Sequence, residues 1–353
     1  MHKIDGYIMR SVGGAILLVM IVVLSLDLIF AFIGELEDKR NNYSSLDALY
    51  YVGMTLPRRI YDYLPLGAFM GCLIGLGTLA STSELTVIRA AGISIRRIVW
   101  SAMKPALVVI LIGLAVGEYL VPDFERAAQS HKAISRGAAQ NVASPEGLWH
   151  RSEDTYIHVN AVTPDGTLVG LFLFDYGDDH WLDSAAFAER AIYENDHWVL
   201  HNLTRTIITP EGTSLEKMNE EIWETGLTPG VLSVLIVDPE DLPMAGLYTY
   251  ARYLGDQGLQ AGAYWLAFWK KLLMPLSTGV MVVVAISFIF GPLRSVTMGF
   301  RIFVGLIVGL LFKYMQDFLG PMSLVYGFNP ILAIVIPIAL NGLFGAYLLR
   351  RAG

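Results

Sequence analysis

Residues 11–33 read SVGGAILLVMIVVLSLDLIFAFI, twenty-three residues of which Asp27 alone is charged. About twenty mainly apolar residues suffice to cross the roughly 30 Å hydrocarbon layer of a bilayer as a helix. The run is too long for the apolar part of a secretory signal, and no small-x-small cleavage site precedes a polar mature start, so it is expected to remain as a span. Five further segments read the same way: Leu64 to Ala80, Ile98 to Val121, Leu266 to Phe290, Phe300 to Leu319 and Pro330 to Leu349. The fold expected is therefore a six-span helical membrane bundle, interrupted between the third and fourth spans.

Composition agrees. The 353 residues are 54% hydrophobic and only 16% charged, where soluble domains carry about a quarter charged residues. The formal charge of −7 is split unevenly: the stretch from Asp123 to Glu240 holds 20 of the 32 acidic residues but 7 of the 25 basic ones. That gives −13 to the insert and +6 to the rest, a balance that repels nucleic-acid phosphates rather than releasing their counterions. The organisation predicted is residues 1–122 with spans 1–3, an acidic domain over 123–240, and residues 241–353 with spans 4–6.

Lys and Arg in short loops set orientation. With the N-terminus inside, the inner pieces hold ten basic residues (Lys3, Arg10, Arg89, Arg96, Arg97, Lys104, Arg294, Arg301, Arg350 and Arg351) against Asp5 and Glu84. Residues 34–63, on the other face, hold four basic and five acidic. N-in and C-in is favoured, with the acidic insert outside the cytoplasm. The insert itself reads as all-β and jelly-roll-like. Runs at Thr155 to Val159, Leu168 to Phe174, Trp198 to Leu203 and Arg205 to Thr209 are rich in β-branched and aromatic residues. They are separated by turn signals at Pro164-Asp165-Gly166, Glu194-Asn195-Asp196 and Pro210-Glu211-Gly212. From Gly246 to Lys271 the period becomes helical, with Leu247, Tyr250, Leu254 and Leu259 on one stripe, as in an interfacial helix feeding span 4.

The chemistry-bearing motifs of enzymes are missing. No Gly-Lys pair occurs, so there is no phosphate-cradling ATPase loop, and neither His-Glu-x-x-His nor Gly-x-Ser-x-Gly is present. Six of seven histidines fall in the insert (His131, His150, His158, His180, His197, His201) without a ligand-like pattern. No catalytic residue, metal or cofactor is expected in this chain. Cys72 stands alone in an apolar run and reads as a small buried hydrophobe. Asn202-Leu203-Thr204 matches a glycosylation sequon, a pattern frequent by chance.

Three features remain. Glycines recur every fourth residue at Gly67, Gly71 and Gly75, at Gly113 and Gly117, and at Gly305 and Gly309; the spacing fits close helix packing, within one bundle or against a partner. Ionisable residues in spans (Asp27, Glu118, Lys313, Asp317) are functional candidates or simple pairs and snorkelling groups. Lys39, Arg40, Arg58 and Arg59 gather on the face where basic residues are disfavoured. They suit anionic head groups, or local pairing with Glu35, Glu37, Asp38 and Asp62. Between spans 2 and 3, Ser83 can cap a short helix, Glu84 sits where the dipole favours a carboxylate, and Gly92 ends it, leaving Leu85, Ile88 and Arg89 available to a partner.

Tyr7-Ile8-x-Arg10, the glycine-rich second span running into Ser83-Glu84-Leu85 and Arg89-Ala90-Ala91-Gly92, Glu146-Gly147-Leu148-Trp149, and Phe288-Ile289-Phe290-Gly291-Pro292-Leu293-Arg294-Ser295 together resemble the lipopolysaccharide export permeases of Gram-negative bacteria, the LptF/LptG family. The Gly291 to Ser295 signature and Phe318-Leu319-Gly320-Pro321 favour one of its two paralogues. The resemblance implies an inner-membrane permease that pairs with an LptF-type permease. The pair recruits a cytoplasmic LptB-type ATPase dimer, which binds the ATP, and passes lipopolysaccharide from the outer leaflet through a periplasmic β-jellyroll domain toward LptC-type and LptA-type proteins. It further implies that Ser83 to Gly92 is the coupling helix, with Glu84 facing the ATPase, and that Lys39, Arg40, Arg58 and Arg59 meet lipid phosphates. Two other classes fit the residues less well: a membrane scaffold of an envelope complex, and a lipid-modifying enzyme, for which no nucleophile or metal constellation is visible.

Overall fold

The computed structural model describes residues 2–37, 43–136, 147–152, 154–163, 165–177, 181–225, 238–256, 260–291 and 296–352. Lys39, Arg40, Asp38, Glu146, Leu259 and the Pro292 to Ser295 signature lie outside them. In chain order the helices are α1 (His2–Glu37), α2 (Ser45–Met54), α3 (Leu56–Ser81), α4 (Glu84–Ala90), α5 (Ile95–Ala115) and α6 (Val121–Ser135). After strands β1 to β6 come α7 (Met244–Asp256), α8 (Gly262–Phe290), α9 (Met298–Tyr326) and α10 (Pro330–Ala352). Among the described residues, six helical stretches are long and apolar enough to span a membrane: α1, α3, the run Ile95–Ser135, α8, α9 and α10. Each predicted span falls on one of them.

The chain divides into two compact units. The first comprises Met1–Ile29, Pro57–Leu120 and Pro243–Gly353. At its centre are α3 and α8, whose most apolar windows are 67% and 61% buried, against 11% for α1 and 22% for α9. The glycine spacing accounts for the role of α3. A Cβ added at Gly71 would lie 2.3 Å from Ile16 Cα, and one at Gly75 would lie 2.8 Å from Val12 Cα, so α1 and α3 meet backbone to backbone. Gly113 faces Leu64, Gly117 faces the Tyr61 ring, Gly305 faces Leu73 and Gly309 faces Leu66. All three glycine stripes therefore serve contacts of α3 inside this chain, the within-bundle alternative of the two the sequence allows. Cys72 is fully buried there.

Around the N-terminal end of span 4, α7 and the start of α8 bring Tyr248, Tyr250, Tyr264, Trp265 and Phe268 into ring contact, the composition of a membrane–water interface. Leu247, Tyr250 and Leu254 of α7 are buried and Arg252 is exposed, as the stripe predicts. The predicted continuous run to Lys271 is instead two helices, α7 and α8.

The second unit comprises Phe30–Leu56 and Val121–Leu242, and so takes in a piece of the chain that the sequence reading left with the first spans. Its stretch Val121–Ser135 is helix, joined to α5 through a π-helical turn at Val116–Leu120. Strands β1 (Leu148–Ser152), β2 (Thr155–Val162), β3 (Leu168–Tyr176), β4 (Leu182–Glu194), β5 (His197–Thr209) and β6 (Gly212–Trp223) form one antiparallel sheet in chain order. Among the described residues the sheet of the expected jelly-roll-like insert is an up-and-down meander, without the Greek-key crossover of a jelly roll. Ile157, Leu171, Leu173, Trp198, Leu200 and Leu203 form the core. The two runs predicted at 198–203 and 205–209 are one strand. Asn202, at φ 55, and Gly170, at φ 65, fall at one unpaired rung, with the register unchanged on either side of it. The Asn202 amide donates to Glu189 at 2.7 Å, which gives the sequon asparagine an internal role. The β4–β5 turn uses Asn195 and Asp196, both left-handed, as a two-residue hairpin of primed type.

Ahead of the sheet, α2 packs on α6. Asp47 accepts from the Ser44 amide and hydroxyl in a capping box, and its other oxygen meets His131 at 2.9 Å. The Ser44 bonds, helped by His131, hold the Asp47 carboxyl down at about 2, below its ordinary 3.8. A carboxyl depressed on folding contributes stability that is complete above 3.8 and is lost as pH falls through about 2. Acid titration of the purified protein should therefore release α2 over this window, read as proteolytic cleavage near Ser45. Asp47→Asn should flatten that pH dependence, and an unchanged profile would remove Asp47 from the account.

Candidate functional site

One candidate site is built on α4. After α3 ends at Ser81, Ser83 adopts φ 63 and its amide bonds back to Ala80 O, so it closes the preceding helix in a left-handed conformation. Its side chain makes no cap bond, which corrects the expected capping role: a hydroxyl in that conformation is turned away from the amides of α4. The other end behaves as predicted. Gly92, at φ 84, donates to Arg89 O at 3.0 Å and Ile93 donates to Ile88 O at 3.4 Å, the paired bonds of a Schellman stop.

Leu85 and Ile88 are 5% and 9% exposed and belong to the same core as Ile8, Val12, Leu79, Ile93 and Ile98. They seat α4 on the bundle and are not available to a partner, contrary to the sequence expectation. The seven-residue helix has too few turns to stand off the membrane without burying its apolar stripe. The outward face is Thr86, Val87, Arg89 and Ala90, with Val87 66% exposed. Glu84 is half-buried. Tyr7 Oη donates to its Oε2 at 2.6 Å, and Thr82 Oγ1 donates to its Oε1 at 2.9 Å. Two residues before Tyr7, Asp5 takes both Arg97 Nε (3.1 Å) and Arg97 Nη2 (2.8 Å), with Ser101 at 3.1 Å. The first turns of α1 thus hold the start of α4 and the start of α5 together. Arg301, 2% exposed, donates to Gly77 O at 2.7 Å and ties α9 to the last turns of α3.

At the other end of α3, Arg59 pairs with Asp27, whose other oxygen accepts from Tyr63 at 2.7 Å. Arg58 faces Asp62 at 3.8 Å. Both arginines therefore have carboxylate partners within the chain. Arg58 has the one foreseen, whereas Arg59 is taken by the intramembrane aspartate. Lys313 and Asp317 neutralise each other at 3.0 Å, as their i, i+4 spacing predicts. Glu118, on the π-helical turn, accepts from Met244 N at 3.0 Å and faces the buried Lys271 at 3.7 Å, so it anchors the start of α7 rather than snorkelling.

Some of these groups escape sequence reasoning. Glu35 gathers Lys132 at 2.7 Å, Arg136 at 3.3 Å and Tyr43 at 3.1 Å, two cations on one carboxylate. Lys132 and Arg136 lie in the stretch read as β, and their helical i, i+4 spacing was the available signal. Tyr7 and Glu84 are 77 positions apart and carry no pairing signal at all. The histidines whose side chains are described are dispersed. His158 is buried against Trp149 and Phe172, His201 faces Glu220, and His197 bonds Asn195 O; His197 and His201 are four apart but on a strand. No group of three metal-ligating side chains occurs among the described residues.

Residues 6–351 match the family described as lipopolysaccharide export system permease LptF/LptG. The chain is 33% identical over 352 residues to the lipopolysaccharide export system permease protein LptG of Escherichia coli K12, covering 99% of this chain and 98% of the relative. It is 33% identical over 339 residues to the protein of the same description from Haemophilus influenzae, covering 95% of each.

Proposed function

The chain belongs to the lipopolysaccharide export permease family LptF/LptG and is a lipopolysaccharide export permease; from that premise we propose that it is driven through α4 by ATP hydrolysed in a separate cytoplasmic subunit. The observation carrying this is α4 itself: a short helix between two spans, seated by Leu85 and Ile88 and presenting Val87 and Arg89 outward, in a chain without a phosphate-binding loop. In this reading the protein is an inner-membrane subunit with both termini inside and the sheet in the periplasm. It works beside an LptF-type permease on an LptB-type ATPase dimer and hands lipopolysaccharide toward LptC-type and LptA-type proteins. Purification in mild detergent tests it. A cytoplasmic ATPase and bound lipopolysaccharide should both accompany the chain, and recovery of neither would favour the scaffold reading.

Lys39, Arg40, Arg58 and Arg59 are the cations proposed to meet lipid phosphate. For Arg59 this requires exchange of the Asp27 bond for the head group, one charge-assisted bond for another worth about 1.5–3 kcal/mol, whereas the half-exposed Arg58–Asp62 pair gives up under about 1 kcal/mol. Replacing all four by alanine should lower crosslinking of lipopolysaccharide to the outer ends of α1 and α3 several-fold. Crosslinking at the wild-type yield would leave them as partners of local carboxylates only.

A further inference from the structure

The Tyr7 phenol touches neither lipid nor ATPase in the proposed function, yet its hydroxyl donates to Glu84 across 77 positions of sequence. We propose that Tyr7 is the positioning residue for the Glu84 carboxylate and, with Asp5, the clamp that makes α4 move α1; this rests on reading α4 as the coupling helix.

Leu85 and Ile88 hold α4 through non-directional apolar contacts, which resist separation but leave rotation and sliding weakly opposed. The bonds from Tyr7 and Thr82 to Glu84 are directional, and both end on the first residue of α4. Of these donors, Thr82 belongs to the connection leading into α4, so its bond is local. Tyr7 belongs to α1, so among the described residues its bond is the directional one that ties Glu84 to a different span. Asp5, half a turn earlier, grips Arg97 and Ser101 of α5, the helix that follows α4. A displacement imposed on the Val87 face therefore reaches α1 from both ends of the α4 segment. Helix α1 is unbroken from His2 to Glu37. Twenty residues beyond Tyr7, at a rise of about 1.5 Å each, its Asp27 is bonded to Arg59 and Tyr63 of α3 near the outer end. The polar contacts at the two ends of this rod sit on either side of the Gly71 and Gly75 crossing, where α1 touches α3 by backbone.

The test uses the intact permease complex in proteoliposomes and measures lipopolysaccharide released per ATP hydrolysed. Tyr7→Phe removes only the hydroxyl, so the complex should assemble in normal yield while release per ATP falls about three- to tenfold, the range of one hydrogen bond. Glu84→Gln, whose amide oxygen still accepts from the phenol, should retain more coupling than Glu84→Ala. In the Tyr7→Phe/Glu84→Ala double variant the losses should be non-additive. A Tyr7→Phe complex with wild-type release per ATP, or losses that simply add, would overturn the proposal while leaving α4 as the coupling helix. If Glu84→Ala itself leaves release per ATP unchanged, the reading of α4 fails and the proposal falls with it.

Discussion

Gly71→Leu is expected to abolish recovery of folded protein, and Gly71→Ala to destabilise it by about 1–3 kcal/mol, the range for overpacking a filled interior. At this position even a methyl group would stand 2.3 Å from Ile16 Cα and 2.6 Å from Ile16 N. The obstacle is backbone, which cannot rotate aside as the end of a side chain can, so α1 and α3 must separate along the Gly67, Gly71 and Gly75 face. In lipid the loss is not offset by a hydrophobic drive, because the surrounding chains are as apolar as the residues exposed; association depends on close packing. Thermal unfolding in detergent, followed by size-exclusion chromatography, reads the effect. Gly14→Ala, on the same α1 but with nothing within 4 Å of the added carbon, supplies the control. Equal stability of Gly71→Ala and Gly14→Ala would mean that α1 and α3 do not cross where described.

Glu84→Ala is expected to leave the complex assembled and to lower lipopolysaccharide release per ATP by about one to two orders of magnitude. The substitution deletes the acceptor of both the Tyr7 and the Thr82 bonds. In such an exposed setting each bond is worth about 0.5–1.5 kcal/mol net, and tenfold corresponds to about 1.4 kcal/mol, so the pair amounts to about one to two orders. Leu85 and Ile88 keep their places in the core, so the helix stays seated while its angle is no longer set. Hydrolysis that continues while release collapses is the expected signature. Hydrolysis and release that fall together, with loss of the ATPase subunit on purification, would place Glu84 in assembly instead.

The spans were legible because hydrophobic length is a nearly sufficient signal when the bilayer fixes the distance to be crossed. The α4 stop at Gly92 was legible for a related reason: a left-handed position following a short polar-faced helix selects glycine. Ser83 misled because serine is a strong N-cap residue, yet at this position the chain uses it to close α3. Only the backbone conformation, not the residue type, separates the two roles. Leu85 and Ile88 misled because a loop helix in sequence has no visible floor, and the floor is built from Ile8, Leu79 and Ile98, which lie in three different elements. The glycine stripes gave the spacing but not the partner, since identical spacing serves a neighbour in the same chain or another one. Long-range polar pairs were the least legible. Asp27 with Arg59, Glu118 with Lys271 and Tyr7 with Glu84 each join residues whose separation in sequence carries no information about distance. By charge, residues 123–135 read as the start of the β-domain, whereas they are helical and Lys132 and Arg136 converge on Glu35.

The claim on which the rest depends is that ATP bound outside this chain acts through α4, and crosslinking tests it most directly. Val87→Cys presents a thiol on the exposed face of α4, Leu107→Cys presents one on α5 inside a span, and the native Cys72 is fully buried. In membranes containing the intact complex, Val87→Cys should crosslink to the cytoplasmic ATPase with a yield that changes between the ATP-bound and ADP-bound states, and Leu107→Cys should not crosslink to it. An intact, lipopolysaccharide-releasing complex in which Val87→Cys gives no crosslink to the ATPase in either state would contradict the account.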